Sequence, residues 1–236
     1  MSNTSANRMQ SNPISMRTIN IKFFIVMTIA FLLNACASLL VKHDYNSSES
    51  IRENQYTRYA STKGVVLLAA SWSRVWGCGG FENAELRSIG FDRLVEPQGK
   101  DNPPEFVING TADISGFINY AFLLDPGTYA ISHVNVKVAK SIVNVGYLKA
   151  SRRELFDSDV PKGGTFEIRP GEVVYIGHFG LDCANQPMLW RFYLEDKKDF
   201  EAYVSSYKTH YPYLALDAVQ YRLFKTQMFG TDFSLN

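Results

Sequence analysis

What this sequence lacks bounds it first. Its apolar run from Phe23 to Leu33, FFIVMTIAFLL, holds eleven residues, whereas a membrane-spanning helix needs about 20. There is no surplus of either charge: the formal net charge is +1. The first 35 residues contain Arg8, Arg17 and Lys22 and no acid, so removing those three bases from 24 leaves 21 against 23 acids, a net −2. A balance of that kind argues against nucleic acid, which normally demands a basic face, and it offers no polybasic patch for anionic lipid. Motifs of reaction chemistry are missing too. No G-x-S-x-G elbow, H-E-x-x-H, P-loop or dinucleotide glycine fingerprint occurs. What remains is 46% hydrophobic and 14% aromatic, ample for a core and incompatible with a disordered chain.

The short apolar run has the length of a signal-peptide h-region, and Arg17 and Lys22 precede it as a basic n-region. Met16, or Met9, would serve as an alternative start. Directly after the run stands Leu33-Asn34-Ala35-Cys36, which resembles the lipobox of bacterial lipoproteins; Asn34 takes a position usually given to a small or β-branched residue. The resemblance implies that residues 1–35 are removed and that Cys36 receives the lipid. Two or three acyl chains on one residue anchor firmly where a single chain does not. It further implies the bacterial outer membrane, because Ala37 rather than Asp follows the cysteine, with the domain facing the periplasm. Residues 36–62 then read as the lipidated N-terminus and a polar tether, with a helical turn around Ser50–Asn54; a helix packed on the domain is the alternative.

With Cys36 lipidated, Cys78 and Cys183 remain, in a compartment where disulfides persist. A bridge between them would close a 105-residue loop, worth about 4–5 kcal/mol in the chain-entropy model. The alternative is a reactive thiol at Cys78 in the turn-like run Gly77-Cys78-Gly79-Gly80.

From residue 63 onward the pattern is that of strands. Val65 to Ala70 is a continuous apolar run suited to a strand buried on both faces. Leu86, Ile89, Phe91 and Leu94 suggest another strand, and Asn109-Gly110 a tight turn. Asp125-Pro126-Gly127 and Arg169-Pro170-Gly171 each read as a type II turn between strands, Pro presetting φ and Gly supplying φ > 0. Tyr129, Ile131, Val134, Val136 and Val138 alternate along one buried face, with a bulge near His133. Residues 142–148, 188–194 and 219–223 are further strand candidates. Phe200, Tyr203, Val204 and Tyr207 fall at i, i+3, i+4 and i+7, an amphipathic helix over about 196–209 with Asp196 as N-cap. The reading is a mostly β antiparallel sandwich over 63–236 with one C-terminal helix. Gly116, Phe117, Leu124, Pro126, Gly127 and Tyr129 are similar to the signature of transthyretin-like and carboxypeptidase-regulatory-like sandwiches. That resemblance implies a non-catalytic module that binds or spaces.

Candidate chemistry is thin. His178, Asp182 and Cys183, with His133, suggest metal ligands only if Cys183 keeps its thiolate, so no metal and no cofactor is expected. Glu195/Asp196 and Asp199/Glu201 are explained by attraction to a helix N-terminus. Trp72, Trp76, Tyr207 and Tyr211 would form a contact surface if exposed, or fill the space between helix and sheet if packed. The expectation is a non-enzymatic envelope protein, bound to the membrane through its N-terminal lipid and to an envelope protein partner. A hydrolase using Cys78 or a carboxylate pair, and a small hydrophobic-ligand binder with its pocket under helix 197–208, are the alternatives.

Overall fold

A strand with no polar face, like residues 65–70, is stable only between two other layers. The computed structural model describes residues 50–94, 103–110, 116–192 and 197–222, and in chain order they form the following elements. The first half comprises α1 (Glu53–Tyr59), β1 (Gly64–Ser71), β2 (Arg74–Cys78), β3 (Phe81–Arg93), β4 (Phe106–Asn109), β5 (Phe117–Leu124), β6 (Gly127–Ser141) and β7 (Asn144–Ala150). Then come α2 (Arg152–Leu155), β8 (Phe156–Asp157), β9 (Val160–Pro161), β10 (Phe166–Ile168), β11 (Val173–Cys183), β12 (Pro187–Phe192), α3 (Lys197–His210), a 3₁₀ turn (Leu216–Ala218) and β13 (Gln220–Tyr221).

Two sheets face each other. The inner sheet has the order β12-β11-β1-β5, with β13 beside the start of β11; the outer sheet has the order β10-β6-β3-β2, with β4 on β3 and β7 on β6. Between them lies the main core, where Val66, Leu68, Val174 and Ile176 of the inner sheet meet Leu86, Phe91, Ile131 and Val136 of the outer one. The other face of the inner sheet is covered as well. Val65, Leu67 and Tyr175 pack there against Phe200, Val204 and Tyr207 of α3 and against Ile51. β1 is thus buried on both faces because it is the middle of three layers. The chain is mostly β, as its alternation implies, and the helix follows the expected period.

Four features depart from the sequence reading. β1 pairs in parallel with β11, as does β13, so the inner sheet is mixed rather than purely antiparallel. The two Pro-Gly corners do not close hairpins within one sheet: each carries the chain from one sheet to the other. Arg169–Glu172 is a type II turn, with Gly171 at φ 76° and the Glu172 amide donating to the Arg169 carbonyl at 3.2 Å. At the other corner Gly127 lies at φ 156°, outside the type II region. There the buried Tyr129 hydroxyl donates to the Asp125 carbonyl at 2.8 Å, much as a tyrosine corner does in other sandwiches. Asn109-Gly110 turns no hairpin either, since β4 and β5 belong to different sheets. Gly110 is required by packing: a Cβ there would lie 2.6 Å from Cε3 of Trp72.

The fourth departure concerns the tether. From Ser50 onward the chain is part of the domain. Ile51 is buried and its amide donates to the Ala121 carbonyl at 2.7 Å, while the Tyr213 hydroxyl donates to the Ile51 carbonyl at 2.6 Å. With Tyr56 of α1 packed on the same cluster, its ring centroid 5.9 Å from that of Tyr213, these contacts dock α1 although most of its sequence is polar. The bulge expected near His133 is present: His133 pairs with Gly90 and Ile131 with Phe91, leaving Ser132 as the extra residue.

Candidate functional site

Signal segment, lipobox and Cys36 lie outside the described residues, as do Glu195 and Asp196. Cys78 and Cys183 form a disulfide, with Cα atoms 5.7 Å apart. The bridge joins the end of β2 in the outer sheet to the end of β11 in the inner one. No thiol therefore stands at Cys78, and Cys183 has no thiolate to give a metal. Among the described residues, no three His, Cys, Asp or Glu side chains converge as metal ligands. Asp199 and Glu201 are two apart on α3 and exposed, a spacing that does not place side chains on one helix face.

Of the four aromatics offered as a contact surface, three are core. Trp72 is buried and its indole N–H donates to the Tyr120 hydroxyl at 2.8 Å. Tyr207 is fully buried, its hydroxyl donating to the Leu68 carbonyl at 2.7 Å. Tyr211 donates to the Asn119 carbonyl at 3.2 Å. Each sinks because its single polar atom finds a partner. Only Trp76 stays out, at 67% exposure.

The helix–sheet interface is a filled aromatic layer and holds His178. The His178 ring lies 3.9 Å from the Tyr203 ring and 4.8 Å from that of Phe117. Its Nδ1 hydrogen-bonds with the Tyr175 hydroxyl. Burial disfavours the imidazolium and pushes the pKa down to about 4. Tyr203 in turn donates to Asn119 Oδ1 at 2.5 Å, and Asn119 Nδ2 donates to Ser206 at 3.2 Å. With Phe200, Val204 and Tyr207 buried, the described interface is tightly packed where a small hydrophobic ligand would have to sit. A cleft of about 470 Å³ opens elsewhere, between α1 and β5, lined by Ile51, Gln55, Tyr59, Lys63, Phe122, Leu123 and Leu124.

One exposed surface among the described residues is the outer face of the outer sheet. Ala84, Leu86, Val136 and Val138 belong to the core, so strand alternation turns Asn83, Glu85, Lys137 and Ala139 outward. Register then lays out two rows. The first runs Trp76, Asn83, Ala139, Val145, and the second Arg74, Glu85, Lys137, Tyr147. In the second row Glu85 accepts from Arg74 Nε at 2.7 Å and pairs with Arg87 at 3.4 Å and Lys137 at 3.9 Å. Partial burial raises the Glu85 pKa, but the Arg74 hydrogen bond and the three neighbouring cations outweigh it and hold the carboxyl below its usual value. The Arg74 guanidinium also stands 5.2 Å from the Trp76 ring, and Lys149 Nζ 5.9 Å from that of Tyr147. Tyr147 is 56% exposed. An aromatic–cation surface of this composition is typical of contact sites. Trp76 alone was legible in the sequence, because the other members come from four strands that only the fold brings together.

The chain matches no protein-family model, no curated protein and no solved structure.

Proposed function

We propose that this chain is a lipid-anchored protein of the bacterial cell envelope, attached to the outer membrane through Cys36 and facing the periplasm. Its sandwich is a non-enzymatic binding or assembly module, and the outer face of the outer sheet is the surface with which it binds. The lipobox and the h-region before it support the anchor. A cystine at Cys78–Cys183 accords with an oxidising compartment. The observation that carries the contact reading is the exposed Trp76–Arg74 pair, with Arg74 in register with Glu85, Lys137 and Tyr147. A hydrolase built on Cys78 loses its nucleophile to the disulfide.

Anchor and surface are tested separately. Cys36→Ser should abolish acyl labelling and weaken retention in the membrane fraction; unchanged labelling and fractionation overturn the anchor. For the surface, a photo-cross-linking residue replacing Trp76 should give adducts in intact envelopes. The same residue at Lys208, exposed on α3 on the far side of the inner sheet, should give few. Equal yields at both positions would remove the outer face as the site of contact.

A further inference from the structure

The β6–β7 hairpin ends in a turn whose two central residues are Ile142 and Val143, since Ser141 pairs with Asn144. Such positions favour Gly, Asn, Asp or Ser. Here two β-branched aliphatics stand 95% and 89% exposed. The turn is held by Ser141 Oγ, which accepts from the Val143 and Asn144 amides at 3.3 and 3.1 Å, so the aliphatic side chains contribute nothing to its closure. Behind this tip the residues come in layers. Two residues along β7 is the row with Val145, 46% exposed, and Trp76. Four residues along is the row with Tyr147, Lys137 and Arg74. At about 3.3 Å per residue, these rows lie about 7 and 13 Å behind the tip. Lys140, beside the tip, lies 5.7 Å from the Phe81 ring.

We infer that this end of the outer sheet dips into a lipid surface carrying anionic headgroups. The inference rests on the contact-module reading and names the occupant of one end of that surface. Interfacial segments bury apolar groups about 5–10 Å deep, a depth that takes Ile142, Val143, Val145 and Trp76 past the headgroups. Arg74, Lys137 and Tyr147 then sit at headgroup level, where cations meet phosphate and aromatic rings with a polar tip are at home. The charge is complementary. Arg74, Arg87 and Lys137 surround the single carboxylate of Glu85, Lys140 stands beside Phe81 and Lys149 beside Tyr147, in a mature chain that is net negative. No cationic run announces this patch, because β-strand register assembles it. A fluid bilayer needs no shape complement to a two-residue apolar point, whereas a protein groove would. The 14 residue steps from Cys36 to Ser50 reach at most about 50 Å, so an anchor at Cys36 would hold Ser50 within that distance of a membrane.

The test uses the mature chain isolated from the cell envelope and combined with vesicles of phosphatidylcholine and phosphatidylglycerol, 7:3, made with or without lipids brominated high in the acyl chain. Brominated lipid should quench tryptophan emission. Trp76→Phe should remove the quenched component, since Trp72 is buried and Trp190, half-buried on β12, belongs to the other sheet. Val143→Asp should lose most of the quenching while acyl labelling stays as in the wild type, and omitting phosphatidylglycerol should weaken it. Emission indifferent to bromine, or quenching unchanged in Val143→Asp, overturns the inference. So do adducts from a photo-cross-linking residue at 143 that are all protein. A chain that carries no acyl group refutes the anchor instead, and the same quenching measurement on the soluble chain still decides the tip.

Discussion

Removing the positive charge of Arg152 without removing its bulk probes how the fold is held at the junction of α2 and β3. Arg152 Nη1 lies 3.0 Å from Asp92 Oδ2, with side-chain exposures of 6% and 3%. The other carboxylate oxygen accepts from the Glu105 amide at 2.9 Å, and the guanidinium stands 4.2 Å from the Phe156 ring. Arg152→Met keeps the stem over that ring and leaves Asp92 as a buried carboxylate with one backbone donor. Breaking one side of a buried pair costs about 3–5 kcal/mol, against about 0–1 kcal/mol for an exposed pair. With a urea m-value of about 2 kcal/mol/M for a domain of this size, the unfolding midpoint should fall by about 1.5–2.5 M. Adding Asp92→Asn removes the stranded charge and keeps Oδ1 for the Glu105 amide, so the double variant should be more stable than Arg152→Met alone. A non-additive cycle of this kind is read from urea titrations of the four proteins. Strictly additive single losses, each below about 1 kcal/mol, would refute the buried pair as the clasp between α2 and β3.

Replacing Cys78 and Cys183 together with Ala should cost up to about 4–5 kcal/mol, the chain-entropy value for a 105-residue loop; a shift in urea midpoint under about 0.5 M would show that the bridge contributes little to stability. Without reductant, neither cysteine should react with iodoacetamide in the native chain, which mass spectrometry reads directly. His178 makes the fold acid-sensitive. Its folded pKa of about 4 lies below the ordinary value of 6.5, so the unfolded chain binds more protons between those values and stability falls as pH drops through that window. The shift corresponds to an upper bound of about 3 kcal/mol. His178→Gln should flatten much of the stability difference between pH 7 and pH 5, leaving the smaller contribution of His133, whose pKa burial also lowers. An unaltered difference would show that His178 is not the group responsible.

Local signals in this sequence were reliable where the physics was local. The unbroken apolar run at 65–70, the alternation from Tyr129 to Val138 with its bulge, the spacing of Phe200, Tyr203, Val204 and Tyr207, and the Cys78–Cys183 pairing all match the fold, because strand period, helix period and a short list of cysteines each leave few choices. Partnership between distant segments was not legible. Nothing within β1 distinguishes a parallel neighbour from an antiparallel one, and the five residues of β2 alternate too briefly to declare a strand. Aromatic identity was equally ambiguous. Trp72, Tyr207 and Tyr211 differ from Trp76 in whether a carbonyl or hydroxyl waits at the end of the ring, a fact settled by residues 48, 139 and 92 positions away. The same logic hid the surface proposed for contact. Arg74, Glu85, Lys137 and Tyr147 lie in one row through the register of four strands, so the chain as a whole stays near neutral while one face becomes cationic. Net charge constrains a partner only when the fold spreads the charges evenly, and here three cations share the one carboxylate of Glu85.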